Sequence, residues 1–102
     1  MNVASLQMQG LLCALAAINQ MLVDKGAATT DDIARALSGA EQALSGDDRF
    51  TEDMEPQQRD AVLFPLRYLH MANSMAANDE GATFSDLARM VGKLKEKYND
   101  QL

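Results

Sequence analysis

Apolar positions along the chain fall into four runs with helical spacing. In the first, Met8, Leu11, Leu15, Ile18 and Leu22 recur three and four residues apart, the rhythm of one helix face. Lys25-Gly26 follows, a cationic last turn and then a glycine suited to the position after a helix end. In the second run Ile33, Leu37, Ala40 and Leu44 keep the same step. Thr29 or Thr30 is placed to cap its start, Asp31 and Asp32 to meet the positive end of the helix dipole, and Gly46 to end it. Residues 47–55 are polar apart from Phe50 and Met54 and read as one long loop that Phe50 pins to the core. A third run over residues 56–78 carries Val62, Leu66, Leu69, Asn73 and Ala76 in step. Pro56 suits its first turn, but Pro65 removes a hydrogen bond to Ala61 and predicts a kink or a break. The fourth run is the most regular. Phe84, Leu87, Val91, Leu94 and Tyr98 alternate three and four apart, and Thr83 with Asp86 has the spacing of a capping box.

These elements predict an all-α fold, a small four-helix bundle-like domain with the third helix kinked or broken at Pro65. A single helical domain over residues 1–102 accounts for the whole length. The junction starting at Gly26 also resembles the one starting at Gly81, as two helical hairpins of one design or simply two short helix–helix turns would. Composition agrees with helices. Apolar residues make up 47% of the chain, but only four are Val and two Ile, and aromatics are 5%, which disfavours an all-β domain.

Charge narrows the partners. Nine Lys and Arg stand against fifteen Asp and Glu, for a net charge of −6. Such a surface repels phosphate backbones and anionic lipid, so the expectation is no nucleic acid and no membrane partner. The basic cluster Lys93, Lys95 and Lys97 reads as solvation of the last helix's C-terminal end. The longest unbroken apolar run, residues 11–18, falls far short of the ~20 residues needed to span a bilayer. No cationic segment precedes it as in a secretion signal. A cytoplasmic location and a reduced, core-lying Cys13 are the corresponding expectations.

Residues able to carry chemistry are few. His70 is the sole histidine and Cys13 the sole cysteine, so no metal-ligand spacing exists and neither a metal nor another cofactor is expected. Asp47 to Asp53 fail as a calcium loop, with Arg49, Glu52 and Gln58 at positions that need other residues. Asp60, Asp79 and Glu80 flank the third helix, where acids serve helix ends as readily as acid–base chemistry. The stretch His70, Asn73-Ser74, Gly81-Ala82 and Leu87-Ala88-Arg89 resembles, over about twenty residues, the histidine-phosphotransfer domains. That resemblance implies a phospho-acceptor role for His70. The chain departs from the pattern where those domains carry Lys-Gly, three and four residues after the histidine, to neutralise and admit the phosphoryl group. Leu87 to Gly92 and Ile33 to Gly39 also echo part of a DNA-reading helix-turn-helix, but Lys93 stands where an apolar residue should pack.

The function expected is therefore a non-enzymatic interaction or oligomerisation module, with signalling through His70 and DNA regulation as the alternatives. From residue 11 to 18 no position is polar, and a helix apolar all round must be surrounded. Leu11, Leu12, Leu15, Ile18 and Leu22 are the expected self-association face, some turned to the internal core and some to a second copy in a homodimer. Seven methionines, Met71 and Met75 among them, suit core filling or an adaptable interface, for a second copy or another protein partner.

Overall fold

The computed structural model describes residues 2–77 and 83–100, with side chains described over 2–50, 52–76 and 83–93. Among them the chain is all-α, with helices α1 (Val3–Asp24), α2 (Thr30–Ser45), α3 (Asp48–Glu52), α4 (Pro56–Ala77) and α5 (Phe84–Asp100). The four long helices coincide with the four apolar runs. The fifth, α3, is a correction: the expected loop contains a short helix. Asp47 starts it by accepting the Arg49 N–H at 2.8 Å, Phe50 is buried, and the turn packs on α2.

Local chemistry explains the helix ends. Asn2 caps α1 by accepting the Ser5 N–H at 2.8 Å. At the other end Gly26 has φ +74°, a left-handed conformation that glycine adopts without strain. It lets the Ala27 N–H donate to the Leu22 carbonyl at 2.9 Å and the Gly26 N–H to that of Val23 at 3.0 Å, a Schellman closure. Thr29 and Asp32 form a capping box on α2, with both reciprocal bonds at 2.9 Å. Thr83 and Asp86 do the same for α5, at 3.2 and 3.3 Å. Before Pro56, the Glu55 N–H donates to Gln58 at 2.9 Å. Helix α4 runs through Pro65 as one element, so of the two outcomes expected there a break does not occur. The ~3 kcal/mol penalty of an interior proline is offset by packing on several sides of this helix.

Helix α4 is the hub. It packs along α1, α2 and α5, while α3 packs on α2. The core cluster gathers Leu12 of α1, Tyr68 and Leu69 of α4, and Leu87 and Val91 of α5, with Leu37 of α2 against it. Tyr68 sits between two rings, its centroid 6.2 Å from Phe64 and 5.2 Å from Phe84. Burial, and after it the Cys13 thiol beside the phenol, push the Tyr68 hydroxyl above its ordinary value of 10.0. Arg67 ties α4 to α2 through Glu41 at 3.1 Å and lies 3.7 Å from Asp60 on its own helix. Cys13 itself is exposed, contrary to the expected core thiol. The reason is its position on α1, on the flank of the residues that enter the core. Leu94 and Tyr98 of the α5 stripe, and the acids Asp79 and Glu80, lie outside the described side chains.

The capping boxes make stability depend on pH. Asp32 is held below the ordinary carboxylate value of 3.8, first by the Thr29 N–H and then by its hydroxyl. Asp86 is held below it first by the Thr83 hydroxyl and then by its N–H. A carboxylate depressed in the folded state stabilises fully above its unfolded pKa, and that contribution is lost as pH falls through the folded one. The melting temperature should therefore decline as pH drops below 3.8, and less steeply in the double variant Asp32→Asn/Asp86→Asn. A second expectation concerns Asn73, 8% exposed, whose Nδ2 has no hydrogen-bond partner among the described residues. An unmet buried amide costs about 1–3 kcal/mol, and leucine keeps its branched shape with better helix propensity. Thermal unfolding of Asn73→Leu should occur at the same or a higher temperature than wild type; a drop of several degrees would show that the amide is needed.

Candidate functional site

The most unusual surface of the molecule belongs to α1. A helix turns about 100° per residue, so Leu12, Ala16 and Val23 share the side that meets α4. Leu12 is 2% exposed, while Ala16 and Val23 are half-buried. Leu11, Leu15 and Ile18 point about a quarter-turn away and remain open, at 59%, 36% and 49%. Met8 extends this exposed face along the helix, while Met21 and Val3, also exposed, lie about a quarter-turn further round and Leu6 on the far side. Of the five residues expected to form a self-association face, then, Leu12 faces the core and Leu22 is half-buried. Leu11, Leu15 and Ile18 are the ones open to a partner.

The face is as notable for what it lacks. From residue 1 to 23 no side chain is charged, although the chain as a whole carries −6. Polar residues on α1 are amides for the most part, and Gln9, Asn19 and Gln20 lie half-buried, with Gln20 donating to Asp24 at 2.8 Å. Large apolar side chains in contact with water forfeit about 1.5–3 kcal/mol each when fully exposed. A contiguous patch of them marks an interaction surface. By length and composition α1 could also cross a bilayer, with a mean hydropathy of 1.4 over an 18-residue window. The unbroken apolar run understates this, because isolated glutamines and asparagines interrupt the run without lowering the average far.

Elsewhere the chemistry is thin. His70 is half-buried on α4, and Gly81-Ala82, the second part of the phosphotransfer resemblance, lies outside the described residues. No group of three or more His, Cys, Asp or Glu among the described residues could hold a metal ion. A cleft of about 290 Å3 lies between α4 and α5, lined by Gln57, Asp60, Ala61, Phe64, Arg67, Ala88, Val91 and Gly92. Its one strong donor, Arg67, already faces the carboxylates of Glu41 and Asp60, so an anionic ligand would compete with two built-in acids.

The sequence pattern shows Met8, Leu11, Leu15, Ile18 and Leu22 as one periodic row and divides Leu11, Leu12, Leu15, Ile18 and Leu22 between core and partner without saying which residue goes where. A second set with the same step, Leu12, Ala16, Asn19 and Val23, is the one turned inward. Its small and polar members hide it from a count of large apolar residues.

Comparison with known protein families, with curated proteins and with solved structures finds no match to this chain.

Proposed function

We propose that the protein is a non-enzymatic interaction module that self-associates through the exposed face of α1. One observation carries the reading: Leu11, Leu15 and Ile18 stand open to solvent in a row on a 22-residue helix whose adjacent side, at Leu12, is already committed to the core. The uncharged character of the face supports a second copy as its cover. Two chains of charge −6 repel wherever their acidic surfaces approach, and α1 is where they meet without that repulsion. A two-fold axis would bury the same patch on both chains.

A bilayer is the competing cover. Against it stands the packing of α1 on α4, which carries Arg59, Asp60 and Arg67. To bury α1 in lipid would either strip it from the core at Leu12 or draw those charges toward hydrocarbon, at several kcal/mol apiece.

Size exclusion with light scattering, at concentrations well above a micromolar dissociation constant, tests the proposal. Wild type should elute at twice 11.1 kDa, and Leu11→Glu and Ile18→Glu should each return the mass to 11.1 kDa with unchanged helical circular dichroism. These side chains are exposed, so the substitutions leave the core intact. A wild-type mass of 11.1 kDa contradicts self-association, and if that monomer also floats with phosphatidylcholine vesicles, lipid is the cover instead.

A further inference from the structure

The exposed face of α1 has a spacing that limits how a second copy would lie on it. Its seam runs Ala4, Met8, Leu11, Leu15, Ile18 and Leu22, with steps of four, three, four, three and four. That is the heptad rhythm of a coiled coil, and it reads the same in both directions about residue 13. A palindromic seam can be laid against an inverted copy of itself with every position filled: Leu11 opposite Leu15, Met8 opposite Ile18, and Ala4 opposite Leu22. The seam is about 27 Å long at 1.5 Å per residue.

We infer that two copies of the chain pair their α1 helices antiparallel in this register; the inference rests on the self-association reading and adds its geometry. A parallel pair would also bring heptad positions together, and the helix ends decide between the two. Helix α1 has no acidic residue in its first turn, so no side-chain charge compensates the positive end of its dipole, while Asp24 and the cap residue Lys25 stand side by side at the other end. A parallel pair sets positive end beside positive end and negative beside negative. The antiparallel pair sets each positive end beside the partner's negative one. It also keeps the two Asp24 side chains, the only charges within the helix, a full helix length apart. Small Ala4 meeting Leu22, which is half-buried against its own domain, fits the ends of such a seam, where the bodies of the two chains begin to crowd.

Disulfide trapping tests the register. Met8→Cys and Ile18→Cys are made as separate proteins in a Cys13→Ser background, each checked for mass by light scattering, then oxidised alone and as a mixture. In the antiparallel pair, equivalent positions lie about 15 Å apart along the axis, beyond the ~7 Å limit for a disulfide. Neither protein alone should therefore cross-link. The mixture should give the mixed disulfide that joins one Met8→Cys chain to one Ile18→Cys chain, recognised by its intact mass. Cross-linking of each protein alone, with no preference for the mixed product, would establish parallel pairing and overturn the inference. Doubled mass with no cross-link in any sample overturns the register while leaving self-association standing. A mass of 11.1 kDa before oxidation removes both.

Discussion

One constraint organises this fold: a chain of 102 residues has enough helix to surround only one of its own helices. That helix is α4, which packs along α1, α2 and α5. Its Tyr68 ring lies against Phe64 and Phe84 and beside the Cys13 thiol, so three helices converge on one side chain. Being enclosed is what makes Pro65 tolerable, since contacts on several sides hold the helix together across a missing hydrogen bond. The same enclosure accepts a buried Asn73 and a partly buried Arg67 tied to Glu41 of α2.

Helices that surround a hub keep one side for it and turn the other to solvent. Helices α2 and α5 obey that division, with charges on their outer faces and capping boxes at their starts. Helix α1 does not. It spends Leu12 and Ala16 on the hub and leaves a row of larger apolar residues uncovered. A single turn of such exposure is ordinary on a protein surface. A seam with heptad spacing along a 22-residue helix is what the proposed contact rests on, and its lack of charge suits a copy of the same acidic chain.

Much of this is legible in the residues. Thr29 or Thr30 ahead of two acids, Thr83 with Asp86, and Gly26 mark helix ends by local chemistry that tertiary packing has no reason to override; that Thr29 is the cap and Asp32 its reciprocal partner comes from the structure. Phe50 reads as an anchor, and it is one, yet the turn around it escapes notice because a five-residue helix has too few positions for a periodic signal. The orientation of α1 is harder. When nearly every position is apolar, periodicity cannot say which of two interleaved rows faces inward, and the larger side chains draw attention to the outer one. What resolves it is the partner: Leu12 and the small Ala16 let α1 come close to α4, whereas the bulkier outer row would hold it away. Thinness of catalytic chemistry is equally visible, in one histidine and one cysteine far apart in the sequence.

The central claim is that a second copy covers Leu11, Leu15 and Ile18, and contacts between methyl groups report on it directly. A sample mixing chains that are 13C-labelled at Leu and Ile methyls with unlabelled chains allows a nuclear Overhauser experiment filtered for signals between molecules. The account predicts intermolecular cross-peaks from the methyls of Leu11, Leu15 and Ile18, and none from Leu87 or Leu69 in the core. Intermolecular peaks arising from α2 or α5 instead, or none at a concentration where the mass is doubled, would contradict it.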